Sequence, residues 1–422
     1  MIFFRPISIS LSPNTEKDDI FLAFKLLFQP WRWKKEKKES GSPLVELGKK
    51  FEKYLGIKYT IFFNSGRSAL MAILDSLEFK KNDEILLQAF TCNAAVNPVI
   101  WTGLKPIFVD CDEKTFNIDI EDLKNKITSK SKALIVQHTF GLMADMDKVL
   151  EICEKNNLIL IEDCAHSLGA EYNKKKAGTF GKVSFFSFSR DKVISSVYGG
   201  MVASNDEKLV EKLKKYEKNI NYPSFFWIKQ QLLHPLLMNY LILPTYLIFG
   251  KYFLIFLQWL KILSKAVHWK EKKGKKPDYF PKKMPNALAI LTLNQFKKIE
   301  KFNNYRKEIA TFYFNQLKKI NSFELLPLEV EKRKHIFLRF TIKHFNAHKI
   351  IENAWKNNIL IGDWYTSPIA PNDTKLDKLQ YLLGSCPKAE KLAKEVLNLP
   401  THINISKKEA QKIIEYLKKY GN

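Results

Sequence analysis

From residue 41 onward, short apolar runs alternate with longer stretches in which apolar side chains recur every three or four positions. Leu44, Leu47, Phe51 and Leu55, behind Ser42-Pro43, predict a first amphipathic helix with a capped start. Residues 59–63 read as a strand, 65–67 as a turn, 68–77 as a helix, 84–87 as a strand and 91–100 as a helix. Strands at 106–109 and 133–136, a helix at 145–156 and a strand at 158–161 continue the series. Short apolar strands separated by helices predict an α/β fold whose mostly parallel sheet is covered on both faces.

The pattern changes after a lysine-rich surface helix at 204–219. Residues 225–267 are crowded with Leu, Ile, Phe, Tyr and Trp, and 230–250 hold no Lys, Arg, Asp or Glu. That length approaches the roughly 20 residues that span a bilayer, but Pro235 and Pro244 interrupt it. Two amphipathic or re-entrant helices on a membrane surface are the expectation, against a helical hairpin packed on the protein's own core or on a dimer partner. Six lysines follow between Lys265 and Lys276. A long helix is read at 287–305, with 309–317 extending or following it. A smaller α/β domain begins near 323, with strands at 335–341 and 359–363 and helices at 347–356, 386–396 and 407–419. The expected organisation is an arm (1–40), a large domain (41–216), a hydrophobic and basic insertion (217–284), connecting helices (285–322) and a small domain (323–422). The arm is poorly patterned, with an apolar stretch at 20–28 and Trp31 and Trp33 set among lysines.

Composition adds two constraints. The 422 residues carry 69 Lys plus Arg against 44 Asp plus Glu, a net charge of +25, which fits anionic substrates or an anionic membrane. No compact nucleic-acid motif accompanies the charge, so no nucleic-acid partner is expected. The five cysteines, with no CxxC pair, fit a reducing compartment and neither a disulfide framework nor a metal site. The apolar N-terminus lacks a basic start and a small-residue cleavage site, so a cytoplasmic protein is expected, with a peripheral seat on the inner face of a membrane if the insertion binds lipid.

Candidate chemistry concentrates between Asp163 and Gly200. Asp163 follows an apolar strand at its carboxyl end, where open α/β sheets bind ligands. His166 lies three residues on, and Lys192 stands between Phe188 and Val193-Ile194, followed by Gly199-Gly200. A lysine in that setting is placed for a buried catalytic amine, although a lone lysine there is ordinarily solvated. Upstream, Asn64-Ser65-Gly66-Arg67-Ser68 sits at a strand-to-helix junction, where amides, hydroxyls and the helix dipole can hold a phosphate or simply cap a helix.

The motifs EDCAHSLGAEY, SFSRDK and NSGRSAL resemble those of the DegT/StrS-type sugar aminotransferases, pyridoxal-phosphate enzymes of the aspartate-aminotransferase fold. The resemblance extends through KNDEILLQAFTCNAAVNPVI, GLKPIFVDCDEKTFNID, HTFGLMADMD and CPKAEKLAKEVLNLPTH, covering most of 41–216 and 285–419. It implies Lys192 as the Schiff-base lysine, Asp163 at the pyridine nitrogen and His166 at the cofactor's phenolic oxygen. It also implies Gly66, Arg67, Ser68 and Ser187 around the phosphate, and Cys92 where an aromatic usually stacks on the ring. Pyridoxal 5'-phosphate, a glutamate amino donor, an oxo-sugar on a nucleotide or lipid-phosphate carrier, and a homodimer with shared sites are what the family implies.

Three departures stand out: Cys92 replaces the ring-stacking aromatic, with Phe90 two residues before it. Tyr198 replaces the glutamate before the glycine pair, and the partner-subunit loop aligns as FPKKMPN, giving Pro281 and Lys283 for its Asn and Arg. Two other readings keep the fold. One is a pyridoxal-phosphate sugar dehydratase, in which histidine would replace the lysine, and the presence of Lys192 counts against it. The other is a non-catalytic, membrane-associated scaffold.

Overall fold

In the computed structural model, which describes residues 5–34 and 41–420, the alternation of the first half closes into a seven-stranded sheet. Its strands are β1 (Tyr59–Phe63), β2 (Glu84–Gln88), β3 (Lys105–Val109), β4 (Ser131–Gln137), β5 (Ile159–Asp163), β6 (Val183–Ser187) and β7 (Gly200–Ser204). They lie in the order β1-β7-β6-β5-β4-β2-β3. The pairs from β6 to β3 are parallel, and β7 runs antiparallel to both β6 and β1. Alternate residues feed two separate cores, as the pleat requires. Leu86, Leu134, Val136 and Leu160 pack on one face, and Ile85, Leu87, Ile135 and Ile161 on the other.

Glu162 is the exception, a carboxylate buried under the sheet. It accepts hydrogen bonds from the backbone N–H groups of Gly178 (2.9 Å), Phe180 (2.6 Å) and Gly181 (2.8 Å) and pairs with His138 (3.2 Å). Burial opposes its charge, but these donors hold its pKa below the usual carboxylate value. The loop leaving β5 and entering β6 is thereby tied under the strand that ends in Asp163.

The small domain carries the antiparallel strands β8 (Glu324–Leu325), β9 (Phe340–Lys343) and β10 (Val396–Leu399). Helices Ile299–Leu317, Ala347–Lys356 and Lys407–Lys418 cover them, around Tyr313, Phe340, Ile350, Leu397 and Ile413. Only the end of the strand expected at 335–341 becomes β9. The segment before it crosses to the large domain, where Ile336 and Leu338 donate their N–H groups to Gly141 and Phe140.

Two readings change. The long helix expected over 287–305 is broken into Asn286–Phe296 and Ile299–Leu317 at Lys297-Lys298. At this corner the Lys298 ammonium reaches Glu16 (3.3 Å), Asp18 (2.6 Å) and Asp19 (3.1 Å). Those carboxylates belong to the arm, which is not irregular: Lys17–Leu27 is a helix with a capping box between Glu16 and Asp19. Phenylalanines on its exposed face hide its period. It buries Ile20, Ala23 and Leu26 and leaves Phe21, Phe24 and Phe28 outside. Trp33 is buried, donating to the Leu26 carbonyl, while Trp31 is exposed; of the basic stretch beyond, 35–40 lie outside the described residues.

The insertion divides in two. Helix Phe225–Leu237 buries Trp227, Ile228 and Leu232 in the large-domain core, beside the arm helix. Pro235 is tolerated inside it, and directly after it the hydrogen-bond ladder widens into a π-helical turn, Met238–Ile242. The chain then bends by 106° around Pro244, and helix Lys251–Trp259 buries only Leu257. Among the described residues no single helix is long and apolar enough to cross a membrane.

Among the buried histidines are His166, His234, His335 and His402. Burial lowers all four, His335 and His402 to about 3. The unfolded chain takes up protons at these sites below about pH 6.5, and the folded chain does not. Stability is therefore complete above that pH and lost as pH falls from about 6.5 toward about 3, by ~1.4 kcal/mol per pH unit for each histidine. The urea midpoint of unfolding is expected to drop between about pH 7.5 and pH 5.5, before most carboxylates titrate. An unchanged midpoint would contradict this account.

Candidate active site

The carboxyl ends of β5 and β6 open into a cavity of about 240 Å3. Asp163 ends β5 and Ser187 ends β6. Lys192 lies in the loop from β6 to β7, where its backbone is gripped from outside. The Asn14 amide of the arm donates to the carbonyls of Lys192 and Val193, and Arg306 donates to Asn14 (2.9 Å) and Val193 (2.7 Å). Gln295 accepts from the Ser195 N–H and donates to the Asn14 carbonyl, closing the network.

The junction between β1 and helix Gly66–Ser76 forms the opposite wall. Ser65 caps the helix, its Oγ accepting from the Ser68 N–H at 3.1 Å. Two glycines let the backbones meet here. A side chain on Gly66 would press on the Ser187 Cβ, and one on Gly200 would run into the Ser65 carbonyl and the Gly66 nitrogen. The glycine pair after the lysine thus lets β7 pass directly under the helix start.

Of the sequence-selected residues, Gly66, Arg67, Cys92, Asp163, His166, Ser187 and Lys192 all line the cavity. Ser68 does not: its hydroxyl donates to Asn64 Oδ1 at 2.6 Å, and Ser65 lines the cavity in its place. Phe90 is turned away, packed on Phe116, Phe140 and Tyr365. Cys92 caps helix Asn93–Trp101, and burial raises its thiol.

The aromatic wall comes from the small domain instead. The Thr91-Cys92 step pairs in parallel with Ile369-Ala370, which draws the 363–371 loop over the cavity. The Lys192 ammonium lies 4.6 Å from the Trp364 ring centroid, and the Arg339 guanidinium 3.5 Å from it. Trp364 stacks on His166 at 5.3 Å. Neither Trp364 nor Arg339 was selected from the sequence. The available signal was an arginine alone in the apolar run around β9, a position that needs a reason.

Electrostatics follow from enclosure. Burial lowers Lys192, opposed by Asp191, Cys92 and Asp163. Burial raises Asp163, whose Oδ1 accepts only the Ala165 N–H (2.9 Å), and Lys192 works against that rise. His166 is held well below the imidazole value by burial, Lys192 and Arg339. Its Nδ1 accepts the Phe140 N–H at 3.4 Å, which assigns the proton to Nε2, 3.4 Å from the Tyr365 hydroxyl.

These residues fit pyridoxal phosphate. A buried amine of lowered basicity, a buried carboxylate short of cationic partners, and serine hydroxyls at a helix start meet in one cavity.

A family model described as the DegT/DnrJ/EryC1/StrS aminotransferase family matches residues 32–221 and 263–418, leaving out the apolar part of the insertion. The GDP-perosamine synthase of Caulobacter vibrioides is 26% identical over 378 residues, covering 89% of this chain and 90% of that protein. The dTDP-3-amino-3,6-dideoxy-alpha-D-galactopyranose transaminase of Aneurinibacillus thermoaerophilus is 26% identical over 385 residues, covering 90% and 91%. Among solved structures, the Helicobacter pylori aminotransferase PseC, involved in pseudaminic acid biosynthesis, matches with a TM-score of 0.75 at 22% identity, covering 99% of both chains. The last likeness speaks for the fold alone, and the family match settles the rest: this chain belongs to the DegT/DnrJ/EryC1/StrS aminotransferase family and is an enzyme that uses pyridoxal phosphate.

Proposed function

We propose that the enzyme moves an amino group from glutamate to an oxo-sugar carried on a nucleotide or lipid-phosphate carrier. The observation that carries the reading is the meeting of Lys192, Asp163 and the Ser65–Gly66 helix start in one cavity. Relatives named for nucleotide-linked amino sugars support the substrate class, and the net charge of +25 favours an anionic carrier.

When bound, pyridoxal phosphate supplies the electron sink that makes the donor's alpha proton removable. The protein's part is division of labour. Lys192 would hold the cofactor covalently and, once freed by the donor amine, its Nζ would take the donor's alpha proton in one half-reaction and deliver a proton to the sugar carbon in the other; burial keeps a larger share of it unprotonated. Asp163 would hold the ring nitrogen, and a cation there would bring its raised pKa back toward the ordinary range. His166, neutral with its proton on Nε2, would donate toward the phenolic oxygen. Gly66, Arg67, Ser65 and Ser187 would take the phosphate, and Trp364 would supply the aromatic surface that Cys92 lacks.

Borohydride reduction of the holoenzyme followed by mass mapping is expected to place the cofactor on Lys192. Asp163→Asn should keep that adduct and lose at least about a hundredfold in transamination, because a neutral partner no longer holds the ring nitrogen protonated. An adduct on another lysine, or full activity in Asp163→Asn, sinks the assignment. Absence of any adduct would favour the scaffold reading.

We also infer a homodimer that sits in the cytoplasm against an anionic membrane. Helix Lys251–Trp259 and the bend before it expose Ile248, Tyr252, Ile255, Phe256 and Trp259, the last with 74% of its surface open. Exposed Lys251, Lys261, Lys265 and Lys275 flank this face, each worth about 1 kcal/mol beside an anionic leaflet. Light scattering is expected at the dimer mass without lipid, and flotation with phosphatidylserine vesicles at low salt. Phe256→Glu with Trp259→Glu, both exposed, should abolish flotation without loss of the Lys192 adduct. Wild-type protein that stays with the soluble fraction would rule out the membrane seat.

A further inference from the structure

The part of the insertion nearest the site, residues 264–274, has no regular role in the fold, yet it is heavily fastened. Three consecutive carbonyls each receive a side-chain donor from the large domain. Arg190 donates to Ser264 (2.6 Å), the Tyr198 hydroxyl to Lys265 (2.7 Å) and Arg67 to Ala266 (3.3 Å). Farther on, Asn97 donates to the Glu271 carbonyl (3.0 Å) and the Trp101 indole to that of Gly274 (3.0 Å). Ala266 and Val267 thereby become part of the cavity lining.

Arg67 is the unusual member. It is the second residue of helix Gly66–Ser76, where the aligned peptide dipoles already present positive charge. A buried guanidinium added to a helix start is unfavourable unless anions neutralise it. Glu271, fully buried, supplies one through an ion pair to Arg67 Nε, and its Oε1 also accepts the His268 N–H at 2.8 Å. One carboxylate balances the guanidinium and leaves the helix start uncompensated. A dianionic phosphate on the Ser65–Gly66 amides would complete the balance, with Arg67 between it and Glu271.

We propose that residues 264–274 are a strap closing the phosphate end of the cofactor site, and that Arg67 couples strap closure to phosphate binding by bridging Glu271 and the phosphate. This rests on the pyridoxal-phosphate site described above and assigns new roles to Arg67, Tyr198 and Glu271. Phosphorylated ligands then hold the strap more firmly: pyridoxal, which lacks the phosphate, reacts with Lys192 without the added hold through Arg67.

Trypsin reports on the strap because Lys265, Lys273 and Lys275 are exposed. Pyridoxal phosphate is expected to slow cleavage within 264–276 on the native enzyme, and saturating pyridoxal is not. Arg67→Met should weaken equilibrium binding of pyridoxal phosphate by about tenfold or more and leave that of pyridoxal within about twofold. Tyr198→Phe, which removes the hydroxyl's bond to the Lys265 carbonyl and its contact with Tyr279, should speed both tryptic cleavage and cofactor release by about fivefold. Should Arg67→Met not fold, Arg67→Lys, which keeps the charge, should give a smaller loss of the same vitamer selectivity. Equal protection by the two vitamers, or equal loss of both in the Arg67 variants, would overturn the proposal. A wild-type enzyme with no adduct on Lys192 would instead strike the underlying site reading.

Discussion

A reactive lysine is useful only if its loop cannot move, and here that constraint falls on a buried arginine with no carboxylate partner among the described residues. Arg306 distributes its donors over Asn303, Asn14 and the carbonyl of Val193, one residue past the lysine. Burial pulls its pKa down, so the cation survives on hydrogen bonds alone. Removing any acceptor would leave a buried donor unmet, a cost of about 1–3 kcal/mol. The arm, the connecting helix and the lysine loop are therefore one unit. Lys298, gathering the three arm carboxylates at the corner between helices, fixes the same unit from its solvent side.

This dependence explains what the sequence could and could not show. Strands such as β2 and β4 are apolar on both faces, and their short runs between helices announce a covered parallel sheet. The residues at the strand ends could be picked out because their neighbours in sequence are also their neighbours in space: Asp163 with His166, Ser187 with Lys192, Ser65 with Gly66. Trp364, Arg339 and Asn14 escaped because each reaches the cavity or its loop through packing of distant elements, in Trp364's case through a two-residue strand pairing with Thr91-Cys92. Ser68 faces Asn64 while Ser65 lines the cavity, because which of them turns inward depends on the helix's rotation, which only the packed structure fixes. The arm helix was hidden by having apolar side chains on its solvent face as well as its buried one.

The insertion shows the same limit from another side. Its composition is nearly uniform from 225 to 263, yet two physical environments result there, and the basic segment after it meets a third. Phe225–Leu237 joins the large-domain core, Lys251–Trp259 stays outside, and 264–274 is laid over the active site. Composition could not separate them because apolar content says that burial is wanted without saying by what. Pro244, which stops one helix, and the run of carbonyls fastened by Arg190, Tyr198 and Arg67 make the separation.

The charges around the cavity complete the argument for what enters it. Lys192, Arg67, Arg190 and Arg339 surround or border the space, against Asp163, Asp191 and Glu271. The anions are already engaged: Asp191 with Arg339 at 3.5 Å, Glu271 with Arg67, and Asp163 with the Ala165 N–H and the field of Lys192. Cationic groups thus exceed anionic ones by one, in a volume where water's screening is weak. A neutral sugar or aldehyde would leave that excess in place. A ligand bearing a dianionic phosphate at one end and a protonated ring nitrogen at the other has a single net negative charge and removes it, pairing the helix start with an anion and Asp163 with a cation. The same bipolar demand selects against a free inorganic anion, which would satisfy the helix start and leave Asp163 with no more than the Ala165 N–H and the field of Lys192.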